Sequence, residues 1–225
     1  MVIVEAIRKF VCDNDLYGLY RSYSWGGDQW ESGFLDILKL ETQLSNHDHS
    51  SGISLDDVKA VANWGKLRNP GRICGVSPVL PQKSCSNAIT NRLEPLNVLK
   101  ISIIKGIGST YFTKILRFAA PAIYGALDTR CVRAFGKGDP ISQHHDWLDL
   151  TVKNYGYGWF IPEAQKNWPA GYGQWLEILD TFCSILPANC PHPESFVRHG
   201  MRNKGVWTCA DVEMALFAYA SNAVK

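Results

Sequence analysis

Apolar residues recur along most of this chain at the three- and four-residue spacing of helices, and almost nowhere in the alternation of a half-buried strand. Residues 2–12 carry Glu5, Arg8 and Lys9 on an otherwise apolar run and predict an amphipathic helix rather than a signal peptide. Residues 28–44 place Trp30, Phe34, Leu35, Ile37, Leu38 and Leu44 at roughly helical spacing. Ser54 starts a further helix, with Asp56 and Asp57 in its first turn and Val58, Val61, Ala62 and Leu67 on one face. Arg68-Asn-Pro-Gly-Arg72 ends it, and residues 69–81, rich in Pro and Gly, form an irregular connection.

Helices are further predicted over 86–92, 93–105, 109–120, from Asp128 to Phe135, over 174–186 and over 209–222, with a candidate at 141–153. The rest of 136–174 is rich in Gly, Trp and Tyr and reads as loop, as does 187–193. There is no repeat and no strand pattern, so the predicted class is all-α. The 225 residues fit one domain, or two small lobes around a shared core.

No run of 18 apolar residues exists, so no transmembrane helix and no membrane partner are expected. Seven Cys is an odd number and no Cys-x-x-Cys occurs, which suits reduced thiols in an intracellular setting, cytoplasmic or nucleoid-associated. Cys183, Cys190 and Cys209 lack the fourth cysteine of an iron–sulfur cluster. His47 and His49 sit in a Ser-rich loop without further ligands, and His144 and His145 would diverge on a helix. No metal site is therefore expected.

Charge sharpens the picture. The formal net charge is only +2, but residues 66–137 hold 12 Lys and Arg against two acids, Glu94 and Asp128. The remainder holds 11 Lys and Arg against 19 acids. Basic charge concentrated in one segment is the footprint of a phosphate-binding surface.

The chemistry concentrates in the same segment. In Lys105-Gly-Ile-Gly-Ser109 the glycines allow close backbone approach. The N–H groups of Gly106, Gly108 and Ser109 lie at a helix start, where an anion is favoured. Along the following helix Tyr111, Phe112, Ile115, Phe118 and Ala119 share one face, with Thr110, Thr113 and Arg117 opposite. Lys114 lies on the boundary, a candidate amine nucleophile or a lysine reaching for water. Asp128 is placed to cap the next helix. A carboxylate held there can also stabilise an oxocarbenium-like transition state.

Gly106-Ile-Gly-Ser, the helix through Lys114 and Leu-Asp128-Thr-Arg-Cys-Val-Arg resemble the helix-hairpin-helix DNA glycosylases, most closely the 8-oxoguanine glycosylase fold and its archaeal-type branch. The resemblance covers about residues 93–137, and weaker likeness extends to Trp64-Gly-Lys-Leu-Arg and Trp207-Thr-Cys-Ala-Asp-Val-Glu-Met-Ala-Leu-Phe. It implies a helical bundle of two lobes, 1–65 with 140–225 and 66–139, flanking a cleft, with the hairpin at 93–120. It implies Lys114 and Asp128 as catalytic residues and DNA contacts from Lys105, Gly106, Gly108, Ser109, Arg117 and Arg130. The partner would be double-stranded DNA with one base flipped into a pocket, for which Gln143, His144 and Trp147 are candidates. No organic cofactor is implied, and a monovalent cation would bind the hairpin near Gly106.

The chain departs from the family in three respects: Ala126-Leu127 stands where Pro-Val usually precedes the catalytic Asp, the iron–sulfur tail of some members is missing, and the lysine is displaced. The family's lysine comes two residues after the second hairpin glycine, where Thr110 stands here, and Lys114 lies one turn further on. Either Lys114 forms the Schiff base, with β-lyase activity, or Asp128 activates water and no lysine takes part, or the chain is an inactive derivative. The alternative to an enzyme is a non-catalytic nucleic-acid-binding module. Oxidised guanine is the family's default base.

Overall fold

The computed structural model describes residues 2–45, 52–80, 89–156 and 158–224. The His47/His49 pair and residues 86–88 of the predicted 86–92 helix lie outside them, and 89–92 run into the next predicted helix as one. The described chain is mostly helical, with ten α-helices: α1 (Val2–Asp13), α2 (Leu16–Ser22), α3 (Leu35–Ser45), α4 (Leu55–Trp64), α5 (Ile89–Ser102), α6 (Ser109–Ala119), α7 (Thr129–Phe135), α8 (Ala170–Ile185), α9 (Glu194–Arg198) and α10 (Cys209–Ala223). Three short antiparallel pairs accompany them: β1 (Ser24–Trp25) with β2 (Asp28–Gln29), β3 (Cys74–Gly75) with β4 (Ile103–Lys105), and β5 (Lys153–Asn154) with β6 (Trp159–Phe160). No helix among the described residues is long and apolar enough to cross a membrane.

Local chemistry explains the boundaries. Ser54 accepts a hydrogen bond from the Asp57 N–H while the Asp57 carboxylate accepts from the Ser54 N–H, a complete capping box, and Thr208 and Asp211 repeat it at the start of α10. The helix predicted from residue 28 begins only at Leu35. Residues 24–29 form a tight hairpin through Gly26 and Gly27, both at positive φ, and the Asp28 carboxylate accepts from the Asp36 N–H at 2.9 Å. The helix predicted to reach Lys105 stops at Ser102, because 103–105 pair with 74–75.

The candidate helix at 141–153 does not form. Its N–H groups turn outward: His144 and His145 donate to Ala134 O, and Trp147 and Leu148 to Phe135 O, at 2.8–3.0 Å. They satisfy carbonyls that α7 leaves unpaired at its C-terminus.

α10 is buried along most of its length and packs on α2, α7 and α8; α6 packs on α3, α4 and α5. One continuous core runs from Ile7 to Ala220 through all these helices.

Candidate active site

Glycine geometry sets the start of α6. Gly106 has φ +101°, and a Cβ there would fall 2.8 Å from the backbone of Ile73. Only glycine lets the two segments approach so closely. Gly108 is the N-cap of α6 and makes no side-chain cap hydrogen bond, so the first N–H groups of the helix lack a side-chain partner. Ser109 donates to Ile161 O at 2.9 Å and ties this corner to the 159–163 segment. Gly106 to Thr110 form one wall of a cavity of about 660 Å³.

Lys114 and Asp128 meet in that cavity. Lys114 Nζ lies 3.4 Å from Asp128 Oδ2, and the two side chains are only 7% and 13% exposed. The other carboxylate oxygen accepts from the Arg130 N–H at 3.1 Å, capping α7. Asp128 thus divides its oxygens between a helix start and an amine. Its position is fixed from behind as well: the Leu127 N–H donates to Thr113 Oγ1 at 3.0 Å, linking α6 to the segment before α7.

Aromatic rings enclose the amine. Lys114 Nζ stands 5.0 Å from the Trp25 ring, 5.3 Å from Tyr111 and 5.6 Å from Trp64. Trp25 donates to Trp64 O at 3.0 Å, and Trp64 donates to Asp28 Oδ2 at 2.8 Å, so the β1–β2 hairpin holds these rings in place. Tyr111 donates to Gly65 O at 2.9 Å. Burial, with the Asp128 carboxylate, pushes its phenol up to about 12, so it stays neutral. Trp159, Phe160, Ile161, Pro162 and Glu163 also line the cavity. Arg130 lies on the rim, 5.5 Å from the Trp25 ring and 5.3 Å from Phe217.

The predicted residues therefore divide. Lys114, Asp128, Gly106, Gly108, Ser109 and Arg130 all line the one cavity. Lys105 is exposed beside it. Arg117 does not belong to a DNA surface. It is 1% exposed, 2.8 Å from Glu41 and 3.8 Å from Glu213, on a helix buried on every side from Phe112 to Phe118. Two distant carboxylates draw it inward, which helical periodicity cannot reveal.

Gln143, His144 and Trp147 do not line this cavity. Trp147 stacks on Phe135 at 5.0 Å in the core, and the exposed His144 lies beside Tyr219. With no helix at 141–153, these side chains are directed by the cap on α7 instead. The rings at the cavity come from Trp25, Tyr111, Trp159 and Phe160. The Gly26-Gly27 turn was the local signal for Trp25.

Glu213 was also missed. It is buried on α10, and burial raises its carboxyl to about 8 despite Arg117 and Lys114. An amine, an oriented carboxylate and an uncapped helix start thus share one ring-lined cavity. That set can attack or stabilise an electrophilic carbon beside an anionic group. Compared with known proteins, the chain matches no family model, no curated sequence and no solved structure.

Proposed function

We propose that the chain is a DNA N-glycosylase of helix-hairpin-helix type that removes a damaged or modified base. The observation carrying this reading is the 3.4 Å pair of Lys114 and Asp128 in a cavity walled by the Gly106–Thr110 turn. A volume of about 660 Å³ lies in the range of small-molecule sites, enough for a flipped nucleobase. In this reading the glycine turn, Lys105 and Arg130 hold the phosphate backbone of a duplex. The aromatic walls take the base, with oxidised guanine the default. A monovalent cation on the carbonyls near Gly106 would be a further part of the grip.

Asp128 stabilises positive charge developing on the sugar as the glycosidic bond breaks. Lys114 passes a proton to Asp128, which hands it on to the departing base; the freed amine attacks C1′ as the glycosidic C–N bond breaks, and the ring C1′–O bond then opens with its oxygen taking a proton from the amine. The resulting Schiff base supports β-elimination. Cation and carboxylate, being paired, also place the amine beside the carbon it must reach.

Borohydride trapping on duplexes carrying a panel of modified bases tests the proposal. A covalent adduct is expected with one of them and is expected to vanish in Lys114→Ala. Base release without trapping would leave Asp128 and water as the machinery. No adduct and no base release, with salt-dependent DNA binding intact in Asp128→Asn, would replace the enzyme with a binding module.

A further inference from the structure

The loop between α8 and α9 meets the first turn of α10, and the two gather three unlike donors, well away from the Lys114 cavity in sequence and in lining. Cys190 Sγ lies 3.5 Å from His192 Nδ1, and that nitrogen lies 3.9 Å from Asp211 Oδ2. All three atoms fall within 4.8 Å of one another. The His192 and Asp211 side chains are 1% and 0% exposed. His192 Nε2 lies 3.0 Å from Val206 O. A carbonyl only accepts, so Nε2 donates to it and Nδ1 is the nitrogen left facing the thiol and the carboxylate.

That is how an outer hydrogen bond orients a metal-binding histidine. Asp211 is supported in the same way: Arg202 Nε donates to both its oxygens, and the Thr208 N–H and hydroxyl donate to Oδ2. The backbone is locked as well, since the Cys190 N–H donates to Gly205 O and the His192 N–H to Cys190 O.

A second observation points to a ligand at the same place. The hydroxyls of Tyr17 and Tyr20 are buried with no hydrogen-bond partner among the described residues. Tyr20 packs edge-on against His192 at 6.3 Å, and burial raises both phenols above the ordinary tyrosine value.

We propose that Cys190, His192 and Asp211 form a zinc site, with a water in the fourth position. Tetrahedral zinc, at about 2.3 Å from sulfur and about 2.1 Å from nitrogen, holds those two atoms about 3.6 Å apart, close to the separation present. The Asp211 oxygen has to close by about half an ångström on the nitrogen to match. On binding, the Cys190 thiol releases its proton to solvent and its sulfur becomes a thiolate ligand. One sulfur, one imidazole and one carboxylate form a borderline donor set that suits zinc better than calcium or magnesium. The ion would fasten the 190–192 loop to the first turn of α10, and this inference does not depend on the glycosylase reading.

The test loads the full chain with zinc, dialyses it exhaustively and measures bound metal by plasma mass spectrometry. A parallel sample receives cobalt(II) and its spectrum is recorded. The expected result is one retained ion per chain, a thiolate-to-cobalt charge-transfer band, and a melting temperature that falls on chelation. Cys190→Ala should weaken metal binding at least about tenfold and lose the band. Cys183→Ala, which removes a thiol outside the cluster, should keep both. No ion retained by the unaltered chain, or retention and spectrum unchanged in Cys190→Ala, would overturn the site. The measurements on the unaltered chain decide the matter even if a variant fails to fold.

Discussion

Glu213 is the residue whose behaviour is most open to a direct check. Burial holds its carboxyl at about 8, well above the ordinary glutamate value, against the pull of Arg117 and Lys114. The folded protein therefore keeps this proton over a range in which the unfolded chain gives it up. The stability that Glu213 contributes is complete below its unfolded pKa of about 4.5 and declines as pH rises towards about 8. The decline is on the order of 1.4 kcal/mol per pH unit. Urea unfolding of the protein and of Glu213→Gln between about pH 5 and pH 8 should show a fall in stability with rising pH in the first that the second lacks. Parallel pH profiles for the two would show that Glu213 is ionised throughout.

Among elements, α6 and the start of α7 form the working unit, and Thr113 joins them. Its hydroxyl donates to Thr110 O at 2.8 Å and accepts from the Leu127 N–H at 3.0 Å. Thr113→Val keeps the shape but leaves that N–H buried and unpaired, at a cost of about 1–3 kcal/mol. The carboxylate of the next residue loses its rear support, so base release should fall more than the modest loss of stability accounts for. Equal activity at a temperature where both forms are folded would sink this reading.

Much of this unit was legible in the sequence. Two glycines around an isoleucine, a lone lysine at a helix boundary and a lone acid before a helix were each visible, and they meet in space. The cavity's far wall was not, because Trp25 arrives from a two-residue turn at the other end of the chain. Nor was the extended course of 141–153. Its polar residues suggested a helix, but the unpaired carbonyls of α7 compete for the same N–H groups.

Across the whole molecule, a buried chain of charges ties the helices together. Glu41 on α3 meets Arg117 of α6 at 2.8 Å and Arg202 at 2.6 Å, and Arg202 meets Asp211 of α10 at 2.9 Å. No local pattern announces the Glu41 pairs, whose members lie far apart in sequence. Removing one partner strands the others in a medium that cannot solvate them. Arg202→Met should therefore cost about 3–5 kcal/mol, read as a lower urea midpoint with an unchanged slope. A change within about 0.5 kcal/mol, typical of surface substitutions, would mean that water reaches these carboxylates. The same chain anchors α6 on its inner side.

The divided carboxylate of Asp128 has a consequence for its simplest variant. In Asp128→Asn the two atoms are no longer alike. The Arg130 N–H demands the amide oxygen, because a donor cannot face a donor, and Asn is as good a helix cap as Asp. The NH₂ group is then forced toward Lys114, where the ammonium once found an acceptor. The substitution is thus a wedge as well as a neutralisation. A crystal structure of this variant should show the cap intact and the lysine displaced, so its lost activity would report a missing nucleophile together with a missing charge.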